Sequence, residues 1–147
     1  MIRGGGGASL TATVSFREGS DMKKTGLLHA ELSRTIAALG HGDCLVIGDA
    51  GLPVPAGTPC IDLAVCLGVP DLWSVLDTVL GEMQVERALI ATEASPEVRT
   101  AFEARLPCGY VSHDALKQAS AGARAVVRTG EATPYANIVL YAGVAFG

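Results

Sequence analysis

Basic charge is scarce in this chain: 11 Lys and Arg stand against 15 Asp and Glu, for a net charge of −4. No cationic stripe is available to neutralise phosphates, which argues against a nucleic-acid partner. Long apolar runs are missing as well. Mean hydropathy is high at +0.36, yet no segment approaches the roughly 18–20 uninterrupted apolar residues that cross a bilayer. The four cysteines, Cys44, Cys60, Cys66 and Cys108, form no Cys-x-x-Cys pair. They read as small buried hydrophobes in a reducing compartment, the cytoplasm. Histidine occurs three times, at His29, His41 and His113, without a His-x-x-x-His pair, so no metal is expected. Gly-x-Ser-x-Gly, a Walker A loop, a Cys/His nucleophile pattern and a Gly-rich phosphate loop are all absent. The run Gly4–Gly7 follows no strand and opens no helix, so it is no dinucleotide fingerprint.

What is present is apolar. The 147 residues are 49% hydrophobic and 18% charged, enough for one domain with a large core. The apolar runs are short and broken by Gly, Pro and charge, as in strands covered on both faces or in a subunit with a large buried interface. A homo-oligomer is therefore expected. Residues 1–21 are rich in Gly and Ser, lack a sustained period and contain no apolar segment of signal-peptide length. They read as a flexible extension or leader ahead of a second start at Met22, with function in residues 22–147.

Strand and helix signals alternate from there. Leu28, Leu32, Ile36 and Leu39 share a helical face that Gly40 closes. Cys44–Gly48 reads as a core strand, residues 52–60 as a proline-rich loop and residues 60–69 as a strand or extended segment. Leu72, Leu76, Val79 and Met83 mark a helix that Asp71 caps behind Pro70. A strand at residues 87–93 precedes a helix with Ser95 as N-cap and Pro96 in its first turn. A third strand at 108–112 leads into a helix capped by Ser112, and two further strands lie at 123–130 and 137–146. The alternation predicts a single α/β domain with a mainly parallel sheet flanked by helices. The last two strands, joined by a short loop, could pair antiparallel with each other.

In such sheets ligands bind beyond the carboxyl ends of the strands. That rule marks Asp49, Glu93, Ser112–His113 and the loop from Thr133 to Asn137. Asp49 before its turn is either a ligand group or a turn former. Tyr135 and Asn137 offer a hydroxyl and an amide on a Pro-fixed backbone, a set suited to a polyol or to a structural turn. Arg128 and Glu131 flank that loop and could simply pair. Asp43 could cap the turn before the first strand. His41 follows a helix C-terminus, whose dipole favours the imidazolium; this suits a general acid and equally a surface role. His113 starts a helix, where the dipole favours the neutral ring, a hydrogen-bonding form. His29 reads as a partly exposed helix residue.

Three stretches taken together, GHGD at 40–43, DAGLP at 49–53 and TGEATPYANI at 129–138, resemble the pyranase branch of the RbsD/FucU sugar mutarotase family. The similarity covers nearly all of residues 22–147, with Ala94–Tyr110 shorter than in the family. The YAN triplet sides with the ribose rather than the fucose branch. The resemblance implies an enzyme without cofactors that interconverts the β-pyranose and β-furanose forms of D-ribose. It also implies a ring-shaped homo-oligomer, typically a decamer, with sites near subunit contacts. By position it makes His41 the catalytic acid, and Asp49, His113, Tyr135, Ala136 and Asn137 the sugar-binding residues. The competing readings are a fucose-type mutarotase and a non-catalytic sugar-binding module. One geometric difficulty is visible at once. At about 3.3 Å per residue, His41 and Asp49 lie roughly 20–25 Å apart along an extended strand. Either the Gly42–Asp43 turn folds His41 back, or a neighbouring subunit supplies it.

Overall fold

A computed structural model describes residues 22–146; the N-terminal extension expected at residues 1–21 lies outside the described residues. Six strands form one sheet: β1 (Cys44–Gly48), β2 (Cys60–Asp62), β3 (Val85–Ala91), β4 (Gly109–Val111), β5 (Ala125–Arg128) and β6 (Ile138–Ala142). Four helices connect them: α1 (Ala30–Ala38), α2 (Leu72–Leu80), α3 (Pro96–Glu103) and α4 (His113–Ser120). The strand order is β2-β5-β1-β6-β3-β4. β1, β2 and β5 are mutually parallel, and β3 is parallel to β4. β6 lies antiparallel to both β1 and β3, so it alone among the described strands runs against the rest. The sheet is mainly parallel, as the alternation of elements predicts. The expected hairpin of the last two strands does not form, because β1 sits between them: its five apolar residues are all buried and can satisfy a neighbour on each side.

β1 shows how the layers are divided. Leu45 and Ile47 face one way, into a core shared with Leu32 of α1, Leu72 and Leu76 of α2, and Phe102 of α3. Cys44 and Val46 face the other way, against Leu116 of α4, Leu52 and Ala123. This is the two-residue period of a strand buried on both faces. Helix starts follow local chemistry. The side chains of Asp71, Ser95 and Ser112 accept from the backbone N–H of Ser74, Val98 and Ala115, each cap being worth about 1 kcal/mol.

Several expectations give way to local detail. His29 is not inside α1 but caps it, its Nδ1 accepting from the Leu32 N–H at 3.1 Å. The helix therefore starts later than its apolar spacing suggests, and Leu28 lies outside it, exposed. The segment after β2 is no strand: Cys66 and Val69 close a small turn, in which Val65, Leu67 and Val69 stand exposed. Of the cysteines, all free, only Cys44 is buried; Cys60 and Cys66 are exposed, because β2 is a short edge strand and Cys66 rides on that turn.

Gly48, the last residue of β1, has no room for a side chain. A Cβ there would lie 3.1 Å from the Leu52 Cβ and 3.0 Å from the Asn137 Oδ1. Gly48→Ala is expected to cost roughly 1–3 kcal/mol through overpacking, read as a lower midpoint in urea denaturation at unchanged slope.

Candidate active site

Five parallel strands bring their carboxyl ends to one edge of the sheet, and reversed β6 brings its amino end to the same edge. This explains why the Thr133–Asn137 loop, which precedes its strand, joins the groups that follow theirs. Asn137 is the hinge of the arrangement. Its side chain is buried, and its Oδ1 accepts the Asp49 N–H at 2.8 Å. That bond turns the amide Nδ2 the other way, where it is buried without a partner.

The turn after β1 is tied down from several directions. The Ala50 N–H donates to the Glu131 carbonyl at 2.9 Å. The Ala50 carbonyl accepts from Arg128 Nε at 3.2 Å. Within the turn, Asp49 Oδ1 accepts the Gly51 N–H at 3.0 Å. Burial pushes the Asp49 carboxyl above the ordinary Asp range, against the opposing pull of the Gly51 N–H, the nearby Asn137 side chain and His113.

Arg128 and Glu131 do not pair with each other. Arg128 reaches Asp62 at 2.8 Å. Glu131 accepts the Leu72 N–H at the start of α2 at 2.9 Å and the Thr133 hydroxyl at 2.7 Å. Its carboxylate therefore fixes the Thr133–Asn137 loop to the body of the protein. In that loop Tyr135 has a φ of 61°, a left-handed conformation that costs a non-glycine residue of order 1–3 kcal/mol. Ala136, next to it, is fully buried.

His113 approaches from α4. Its backbone N–H donates to Glu93 Oε1 at 2.9 Å, and its ring meets Tyr135 edge-on with centroids 5.0 Å apart. Its Nδ1 is buried without a partner. The Ala94–Tyr110 stretch, expected to be shorter than in the family, forms α3 and β4, with β4 in parallel register on β3, and so delivers His113 to this edge. Asp49, His113, Tyr135, Ala136 and Asn137 are thus collected in one place. Buried polar atoms are nearly always satisfied, so two orphans, His113 Nδ1 and Asn137 Nδ2, at the same edge call for a hydroxyl-rich ligand. Among the described residues no group of three or more His, Cys, Asp or Glu is arranged to hold a metal ion.

His41 is elsewhere. It lies before β1, at the opposite edge, exposed, with its Nε2 2.8 Å from Glu86 Oε1 at the start of β3. The turn around it is held by the Gly42 N–H on the Ala142 carbonyl at 2.9 Å and the Ala142 N–H on the Asp43 carbonyl at 2.8 Å. Asp43 caps that turn, accepting the Gly40 N–H at 2.8 Å and Arg124 at 2.7 Å. The Gly42–Asp43 turn therefore does not fold His41 back to Asp49 within one subunit. Sequence reasoning missed the roles of Glu131, visible only as a neighbour of Arg128, and of Glu93, marked only as a strand end.

The model of the RbsD / FucU transport protein family matches residues 22–145. The D-ribose pyranase of Variovorax paradoxus (strain S110) is 61% identical over 132 residues, covering 85% of this chain and 100% of the relative. That of Chloroflexus aggregans (strain MD-66 / DSM 9485) is 56% identical over 131 residues with the same coverage. The fold is similar to Bacillus subtilis RbsD complexed with D-ribose, with a TM-score of 0.80, 41% identity, and coverage of 85% of this chain and 100% of the other. It is also similar to the fucose mutarotase of Streptococcus pneumoniae in complex with L-fucose, with a TM-score of 0.69, 26% identity, and coverage of 80% and 94%.

The half-buried Asp49 carboxylate has a stability consequence. At low pH Asp49 is protonated in folded and unfolded chains alike. As pH rises through its raised folded value, ionisation in a partly desolvated place costs folding free energy. Asp49→Asn is therefore expected to raise the melting temperature at pH 7, with the gain shrinking towards acid pH, while weakening sugar binding. Calorimetry across pH, paired with a ribose titration, checks both signs.

Proposed function

The chain belongs to the RbsD / FucU family, and from that premise we propose that it acts as a D-ribose pyranase. It interconverts the β-pyranose and β-furanose forms of D-ribose by opening and reclosing the ring. The observation that carries this reading is the pair of buried, unpartnered atoms, His113 Nδ1 and Asn137 Nδ2, at the edge where Asp49 ends β1. Such a site suits a neutral ligand rich in hydroxyls. Asp49 and Asn137 orient hydroxyls, His113 contributes a ring nitrogen, Tyr135 its hydroxyl, and the Ala136 backbone lies alongside the sugar.

The chemistry needs protons only. A base takes the proton of the anomeric hydroxyl while an acid protonates the ring oxygen as its bond to C1 breaks. The open aldehyde then recloses through the O4 hydroxyl. No electron sink takes part, which is why the reaction calls for no cofactor. One positioned acid–base group contributes roughly 10²–10⁴-fold, a sufficient scale for a sugar that already equilibrates in water.

His41 is assigned as the acid. Its place at the far edge of the sheet from Asp49 supports a site closed between subunits, with the sugar cradle of one and His41 of the next. Exposed apolar side chains at Leu28, Val65, Leu67, Val69, Val144 and Phe146 provide surface for such contacts. The assembly is a homo-oligomer, with a decamer the expected form. Cytoplasmic residence is supported by four free cysteines, and no described helix is long and apolar enough to cross a membrane.

Exchange NMR on ribose tests the activity: the wild-type protein broadens and exchanges the anomer signals, and His41→Ala binds ribose but loses the exchange. Unchanged exchange in the variant removes His41 from the acid role. A panel including L-fucose separates the ribose from the fucose reading, and binding without exchange in the wild-type protein would identify a non-catalytic module. The shared site has its own test. His41→Ala and Asn137→Ala proteins, each inactive alone, regain part of the exchange when unfolded and refolded together, because some interfaces then join an intact His41 to an intact cradle. No recovery in mixed oligomers, their size checked by light scattering, rules out sharing.

A further inference from the structure

We propose that Glu86 is the positioning residue for His41: it accepts the Nε2–H, selects the ring tautomer, and so makes Nδ1 the nitrogen that exchanges protons with the sugar. This role rests on His41 being the acid of the pyranase reaction.

Glu86 occupies an irregular place in the sheet. Val85 pairs with Ala142 and Arg87 with Tyr141, so Glu86 is the extra residue of a β-bulge between them. A bulge bends its strand and re-aims a side chain, and bulges concentrate beside functional sites. Here the re-aimed side chain puts Oε1 2.8 Å from His41 Nε2. The space it uses comes from Gly143. A Cβ at that position would lie 3.0 Å from the Glu86 Cβ and 3.5 Å from its Oε1, while the Gly143 N–H donates to the Gln84 carbonyl at 2.9 Å.

The same stretch of backbone holds the other partner. The carbonyl and N–H of Ala142 clamp the Gly42–Asp43 turn, in which Gly42 has a φ of +89°. Two consecutive residues, Ala142 ending β6 and Gly143 just after it, thus set the histidine and its carboxylate together. Ordinary surface ion pairs contribute little because two long side chains must be immobilised. This pair is framed by backbone on both sides. The other groups at this edge are engaged or buried: Asp43 is bound by Arg124, Arg87 lies 4.1 Å over the Tyr141 ring, and the Cys44 thiol is buried.

An ionised carboxylate can only accept, so the Nε2 facing Glu86 carries the proton. In the imidazolium the second proton sits on Nδ1. It passes to the ring oxygen as the C1–O bond electrons move onto that oxygen, and the anomeric hydroxyl gives up its own proton to a water molecule as the C1 carbonyl forms. The neutral ring left behind is the Nε2–H tautomer, still bonded to Glu86. In reclosure O4 adds to C1 and its proton returns to Nδ1, while water gives a proton back to the former carbonyl oxygen. Glu86 keeps its charge throughout and touches only His41, as carboxylates orient catalytic histidines elsewhere.

The test compares Glu86→Ala and Glu86→Gln with His41→Ala in the intact protein, by ribose exchange NMR and long-range ¹H–¹⁵N spectra of the imidazoles. Glu86→Ala should lower kcat about 10–100-fold with KM unchanged and mix the His41 tautomers. Glu86→Gln keeps an oxygen that accepts from Nε2 and should restore the tautomer. Its neutral amide gives the imidazolium no counter-charge, so kcat should fall between the wild-type and Glu86→Ala values at unchanged KM. Wild-type rates and imidazole spectra in both Glu86 variants, with exchange lost in His41→Ala, would overturn the Glu86 role alone. A rate loss with raised KM and an unchanged His41 tautomer would reduce Glu86 to a structural part, which also overturns it. Full exchange in His41→Ala would instead remove the acid on which the role depends.

Discussion

β6 runs against β1 and β3, between which it lies, and both polar edges of the sheet are built on that reversal. Had β6 been parallel, Asn137 would start it at the edge opposite Asp49, and the 2.8 Å bond between them could not form. The reversal also brings the Ala142–Gly143 backbone to the His41 turn and to Glu86. One strand thus supplies the floor of the proposed sugar cradle at its beginning and the mount of the proposed acid at its end. Its buried position is secured by apolar packing on both faces, through Ile138 and Leu140 on one side and Val139 on the other.

Local chemistry was legible in the residues alone. Asp71, Ser95 and Ser112 cap helices wherever they occur before an apolar period, and all three do so here. The run Cys44–Gly48 reads as a core strand and is one. The carboxyl-edge rule alone groups Asp49, His113 and the Thr133–Asn137 loop. What could not be read was everything decided by non-local partners. Leu28 has the right spacing for α1, but the His29 ring caps the helix one residue later. The order that slots β1 between β5 and β6 leaves no trace in a short loop. The bulge at Glu86 is a mismatch between two strands roughly fifty residues apart in sequence, invisible in either.

The cradle carries costs that the rest of the fold must offset. Tyr135 sits in left-handed backbone, Asp49 is a carboxylate pushed towards its neutral form, and two buried polar atoms lack partners. Each is worth of order one to a few kcal/mol against folding. Each is also what a sugar would relieve, by offering hydroxyls to the orphans and a donor to the carboxylate. Preorganisation of this kind keeps the binding groups from satisfying one another when the site is empty. The Glu131 carboxylate, shared between α2 and Thr133, holds the strained loop in place.

The acid edge is built on the opposite principle. His41 is exposed and already has its carboxylate, Asp43 has its arginine, and among the described residues no buried side-chain polar group there is left unpaired. A satisfied, solvated acid and an unsatisfied, buried cradle are complementary halves. Joined in one chain, His41 could fall onto the Asp49 carboxylate and neutralise both before a sugar arrived. Held on opposite edges of a rigid sheet, they would meet, under the proposed function, across a subunit boundary, where exclusion of water would strengthen the interaction of His41 with Glu86. The proposed site would tie catalysis to assembly through the fold itself, since no rotation of a side chain within one subunit carries His41 to the Asp49 edge.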